Sequence, residues 1–155
     1  MIPMPPFSRQ IGVTHRCAMR YRERELADTG LAGCHVHYLT ALFRQPGMTQ
    51  EELARELNVN KSSVARQLAG LEEKGYIRRE EEPADRRIWR VYPTDKAEAL
   101  KPRLFGTLRA WREYLTADFT PEEKALLDDL MGRVAQRAEA YVKGGKALCE
   151  RSSDT

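Results

Sequence analysis

The stretch Thr49-Gln50-Glu51-Glu52-Leu53-Ala54-Arg55-Glu56-Leu57-Asn58-Val59-Asn60-Lys61-Ser62-Ser63-Val64-Ala65-Arg66-Gln67-Leu68-Ala69-Gly70-Leu71 decides the fold. Thr49 and Glu52 have the spacing of a capping box: the hydroxyl takes a free backbone N–H and the carboxylate reaches back. Leu53 and Leu57, one turn apart, give the short helix Thr49 to Leu57 a single apolar side. Asn60 is a good N-cap for a second helix, and Val59 is an apolar residue able to plug the angle between the two. Val64, Leu68 and Leu71, spaced by four and three, form the buried stripe of that second helix. Gly75 stands where a left-handed cap would end it.

Working outward toward the C-terminus, Tyr76 to Arg79 and Arg87 to Tyr92 read as strands, rich in β-branched and aromatic side chains. Glu80-Glu81-Glu82-Pro83-Ala84-Asp85-Arg86 is the loop between them. A helix-turn-helix followed at once by a two-stranded loop is a winged helix-turn-helix. Thr94 then caps a long helix with Leu100, Leu104, Leu108, Trp111 and Leu115 on one stripe, and Pro102 is expected to kink it or mark its start. Thr120-Pro121-Glu122-Glu123 opens a last helix lined by Leu127, Leu130, Val134 and Tyr141, with Gly144-Gly145 as its stop. Toward the N-terminus, an arginine-rich helix is expected from Phe7 to Asp28, broken by Thr29-Gly30. A more apolar one follows from Leu31 to Phe43, closed by Pro46-Gly47.

At 100° per residue Ser62, Arg66, Ala69, Gly70 and Glu73 of the second helix point away from the leucine stripe, with Ser63 beside them. The first half of that helix is small, polar and basic: Lys61, Ser62, Ser63, Arg66 and Gln67. Hydroxyls and backbone N–H groups suit phosphates, and Arg66 and Gln67 suit base edges in a major groove. In the wing, Arg78, Arg86 and Arg87 lie beside Asp85. An arginine there can enter a minor groove while a carboxylate two residues away holds it bidentately. From Asn60 to Tyr92 eight basic residues face six acidic ones, so binding must rest on where the charges sit. These features point to double-stranded DNA as partner.

Composition agrees and excludes other classes. The chain has 155 residues, 41 % hydrophobic and 32 % charged, which suits a single packed domain. No apolar run is long enough to span a bilayer. The first residues lack the pattern of a secretory signal, so a cytoplasmic location and no membrane contact are expected. Three cysteines suit a reducing compartment better than a disulfide framework. No phosphate-binding glycine loop, nucleophile motif or paired metal carboxylates suggest an enzyme, and no cofactor or metal is expected.

The segment from Thr49 to Thr94 resembles the DNA-binding core of the MarR family of transcriptional regulators. The resemblance rests on Thr49-Gln50-Glu51-Glu52-Leu53-Ala54, Asn60-Lys61-Ser62-Ser63-Val64-Ala65-Arg66, Leu71-Glu72-Glu73-Lys74-Gly75-Tyr76-Ile77 and, above all, Asp85-Arg86-Arg87 followed by Thr94. Ile88 and Pro93 depart from the family's usual small residue and leucine. The resemblance implies a mainly α fold with a small β-wing, one domain over residues 1–155. In it, 48–94 form the winged helix-turn-helix, and 7–45 and 95–143 supply dimerisation helices. It implies a homodimeric repressor on a palindromic operator. Arg87 would be its minor-groove reader, Asp85 the orienting partner, and Ser62, Ser63, Arg66 and Gln67 the major-groove side. The apolar stripes of the terminal helices point to dimerisation independently.

The signal that would release such a regulator is less defined. His15, Cys17, Cys34, His35 and His37 cluster in sequence, which raises a metal-responsive reading, but the helical spacing does not put them on one face. Cys17, among Arg16, Arg20 and His15, is the redox candidate, in preference to Cys149. A small-molecule effector is the remaining option. A winged helix serving only protein–protein contacts is the alternative to DNA binding.

Overall fold

The computed structural model describes residues 6–144. Its order is helix α1 (Pro6–Glu25), a 3-10 turn (Ala27–Thr29), α2 (His35–Arg44), β1 (Met48–Thr49), α3 (Gln50–Leu57), α4 (Lys61–Glu73), β2 (Ile77–Glu82), β3 (Asp85–Pro93), α5 (Asp95–Leu115) and α6 (Pro121–Gly144). The chain falls into two compact units, Met1–Tyr114 and Leu115–Thr155. The fold is mainly helical, with one small antiparallel sheet ordered β1-β3-β2.

The local signals act as their chemistry dictates. Thr49 caps α3, its hydroxyl accepting from Glu52 N–H at 3.2 Å while Glu52 accepts from Thr49 N–H at 2.7 Å. The Asn60 side-chain oxygen Oδ1 accepts from Ser63 N–H at 2.7 Å and so caps α4. After α3, Asn58 turns left-handed (φ 53°), and Asn58 and Val59 N–H close back onto Arg55 and Ala54 carbonyls. Gly75, at φ 77°, does the same for α4 with Tyr76. Val59 itself is exposed, so the angle between α3 and α4 is set by this backbone closure rather than by the valine plug expected from sequence.

Around these turns one core forms in the first unit. Leu39, Leu42, Leu53, Val64, Leu68, Leu71, Ala97 and Leu104 are fully buried, joined by Ile77 and Val91 from the sheet. Each such leucine contributes roughly 1.5–3 kcal/mol by leaving water. Leu100 and Leu108 of α5 pack partly against this core, and Trp111 stacks on Tyr21 of α1 with ring centroids 4.7 Å apart. Arg103 forks onto Asp28 at 2.6 and 2.8 Å and also bonds the Glu25 carbonyl, tying α5 to the end of α1.

Several boundaries differ from the sequence reading. Pro102 lies well inside α5, whose start is Asp95. Its missing N–H falls on an exposed stretch, with Glu98, Pro102 and Arg103 all exposed, where water can take the freed carbonyl. The segment expected as helix from Leu31 joins α2 only at His35. Both wing strands are longer than expected: Glu80–Glu82 and Asp85-Arg86 belong to them, leaving Pro83-Ala84 as the turn, with a bulge between Glu81 and Glu82. β1 was not anticipated. It exists through pairing with β3, Met48 opposite Val91 and Thr49 opposite Arg90. Gly47 precedes it at φ 83°, where a side chain would strike the Tyr92 ring. Gly145 and Cys149 lie outside the described residues.

Candidate nucleic-acid interface

Helix α4 carries its polar side chains on two different flanks. Lys61, Ser62 and Arg66 are exposed, and Ser63 is half-buried. Lys61 pairs with Glu51 of α3 at 3.2 Å, and the Ser62 hydroxyl donates to the Asn60 side-chain oxygen Oδ1 at 2.8 Å. These contacts hold the helix start while leaving its N-terminal turn open. Gln67 is placed otherwise. It is half-buried on the side of α2, where its amide oxygen accepts from the Cys34 thiol at 3.4 Å. The structure thus brings Lys61, Ser62, Ser63 and Arg66 together and leaves Gln67 out of that face.

At the wing, Asp85 and Arg87 form the bidentate pair that their spacing suggested. Arg87 Nε and Nη2 each donate to Asp85 at 3.1 Å, and its backbone N–H adds a third bond at 3.0 Å. The guanidinium is nevertheless 90 % exposed, so it is oriented without being covered. Arg87 holds the Asp85 carboxyl below the usual carboxylate range, first through the side-chain bond and then through its backbone N–H. Arg86 is exposed beside it. Arg78 pairs with Glu80 and lies over the Tyr92 ring, 4.9 Å from its centroid, which places it toward the base of the wing.

The sequence places Arg90 with Arg78 and Arg79 on the strands beside the wing loop, without indicating its partners. Its guanidinium bonds Glu82 of β2 and the Gly47 carbonyl (2.9 Å), fastening the wing to the start of β1. Thr49 opposite Arg90 is also the cap of α3, so wing and helix-turn-helix share this joint.

The histidines and cysteines do not converge. His35 Nδ1 accepts from Ala32 N–H at 3.1 Å and its ring faces α4. His37 Nε2, in contrast, accepts from Arg22 of α1 at 2.8 Å. In each ring the lone pair a metal would use is already taken. Burial, then the Arg22 and His15 charges, push the His37 pKa below its ordinary value. Among the described residues no group of three or more His, Cys, Asp or Glu is placed to hold a metal ion. Cys17 is exposed on α1, at a groove of about 730 Å³ with Arg20, Tyr21, Arg24, Trp111 and Tyr114. No helix among the described residues is long and apolar enough to cross a membrane.

A capped helix pair, an open basic start to its second helix and an arginine-tipped sheet beside it define a winged helix-turn-helix. Comparison with known proteins gives the family. Residues 35–89 match the model of the MarR family. The chain is 30 % identical over 140 residues to the uncharacterized HTH-type transcriptional regulator YybA of Bacillus subtilis (strain 168), covering 88 % of this chain and 93 % of that one. It superposes on a crystal structure of MarR with a TM-score of 0.80 at 32 % identity, covering 89 % and 94 % of the two chains. A putative MarR family transcriptional regulator from Listeria monocytogenes, crystallised with a 26mer DNA, gives 0.81 at 26 % identity, covering 93 % and 99 %. The chain belongs to the MarR family of transcriptional regulators.

Proposed function

We propose that the protein is a repressor that binds a palindromic operator as a homodimer. The observation carrying this reading is the exposed Arg87 guanidinium, oriented by Asp85, on the same module as the open start of α4. A guanidinium held in position but left uncovered suits a narrow minor groove, where the negative potential is strongest. Lys61, Ser62, Ser63 and Arg66 suit phosphates and base edges of the adjoining major groove. Two-fold symmetry would match the two halves of a palindrome.

Dimerisation is supported by α6. None of its residues is buried, and Leu126, Leu130, Met131, Tyr141 and Val142 are exposed. A helix with that much uncovered apolar surface is stable when a second chain covers it. Release by an aromatic small molecule is supported by the groove at Tyr21, Trp111 and Tyr114, with Arg20 and Arg24 to meet an acidic group. The exposed Cys17 there is the residue through which oxidation would act.

Sedimentation at micromolar protein should give a dimer, and binding to random duplex should weaken steeply as salt rises. A stable monomer, or an absence of salt-dependent duplex binding, overturns the reading; the latter would leave a protein-interaction module. Peroxide should release DNA from the wild type but not from Cys17→Ser if the signal is oxidative.

A further inference from the structure

Behind α4 lies a polar strap that the DNA-facing residues do not use. His35 is 4 % exposed and sits at the start of α2, between the Ala32 backbone and the recognition helix. Its Nδ1 accepts from Ala32 N–H at 3.1 Å, which requires the proton of the neutral ring to be on Nε2. The Nε2 edge faces α4: a side chain on Gly70 would meet it at 3.7 Å, and Gln67 is near enough to act on the ring's titration. The Gln67 amide oxygen accepts from the Cys34 thiol. Gln67, one residue from the exposed Arg66, is therefore bound to Cys34, the cap of α2, next to the His35 ring.

We propose that Gln67 serves DNA recognition from behind, as a positioning residue whose amide, held by Cys34 beside the His35 ring, sets how α4 is presented to the duplex, and that the strap is complete only while His35 is neutral and accepts from Ala32. This rests on the DNA-binding reading above. The logic is geometric. Protonating His35 puts a hydrogen on Nδ1, so the Ala32 N–H loses its acceptor and a charge appears under α4. The charged and titratable groups around the ring are few. Lys74 at the end of α4 repels an imidazolium, and Cys34, the cap of α2, and Tyr38 within it are the titratable neighbours in sequence. Burial pushes the Tyr38 pKa up, and Ser63 and the Arg66 charge on α4 pull it partly back. Burial first, then Lys74, push the His35 pKa below its ordinary value of 6.5, against a smaller upward pull from Gln67. The unfolded chain therefore binds the proton first. Stability from this site is full above about pH 6.5 and falls as the pH drops toward the lowered value.

The test uses the full-length protein and its selected operator, with every single-base change of that operator and a random duplex. Gln67→Met should weaken operator binding roughly threefold to tenfold, the effect of losing a neutral hydrogen bond. The ranking of base changes and the salt slope should stay as in wild type. Gln67→Glu keeps the acceptor and should move the pH midpoint of operator binding upward, because a carboxylate favours the imidazolium. Wild-type affinity should hold down to about pH 6.5 and fall as the pH drops further, toward the lowered His35 pKa. His35→Asn, which can still accept from Ala32 but cannot be protonated, should remove that fall, and His37→Asn should keep it. Nitrogen NMR of His35 should show the Nε2–H tautomer with or without DNA. Flattened preference at one base position in Gln67→Met would make Gln67 a reader and overturn the proposal. So would unchanged affinity in that variant, or a pH dependence that persists in His35→Asn. If wild type binds no duplex in a salt-dependent manner, the DNA-binding reading fails instead, and the NMR tautomer still tests the strap.

Discussion

The α2–α4 module and helix α6 are both amphipathic, yet one covers its apolar side and the other does not. In α4, Val64, Leu68 and Leu71 are buried by residues of the same unit. In α6, of similar amphipathic design, nothing is buried and Leu126 and Leu130 remain open. The difference separates two sources of stability. The helix-turn-helix draws on its own core, whereas α6 leaves its apolar side open, as the proposed homodimer would require.

A matched pair of leucine substitutions sharpens this contrast. Leu68→Ala should cost about 2–5 kcal/mol, at any protein concentration, since it opens a cavity in the core. Denaturant titration at two concentrations measures it. Leu130→Ala should instead shift the dimer–monomer equilibrium, with a loss of thermal stability that shrinks as protein concentration rises. A concentration-independent loss at Leu130 would mean that α6 is covered within its own chain.

Of smaller size is the effect at the start of the module. Thr49→Ala removes one half of the capping box and should cost about 0.5–2 kcal/mol, read as a lower unfolding midpoint. Glu52, held below the ordinary carboxylate range by the Thr49 N–H, should give stability that is lost as the pH falls through its lowered pKa. Smaller still is Asp85→Ala, which frees the Arg87 guanidinium without removing its charge. It should be a weaker copy of Arg87→Ala in duplex affinity.

These regions also differ in how far the sequence reveals them. Caps are local: Thr49, Asn60, Gly75, Thr94 and Thr120 act within four residues of themselves, and each stands where the residue types suggested. The Asp85–Arg87 pair is equally local. β1 is not, because two residues become a strand only by pairing with Val91 and Arg90 far along the chain. Glu80–Glu82 have low strand preference and are carried into β2 by their partners on β3, Arg90 among them. Gln67 is instructive. At 100° per residue it lies roughly 65° from the centre of the Val64–Leu68–Leu71 stripe, against roughly 165° for Arg66. The helical period thus separated the two residues, and their polarity alone had grouped them.

The most direct test of the central claim compares Arg66→Ala with Arg87→Ala on the selected operator, its single-base variants and random duplex over a range of salt. Loss of Arg66 should weaken the operator by roughly tenfold to a hundredfold and blur preference at one position per half-site, the effect of removing a bidentate base contact. Loss of Arg87 should weaken all duplexes, lower the salt slope by about one, and alter preference only at A·T-rich flanks. Full affinity of Arg87→Ala on every duplex would contradict the account.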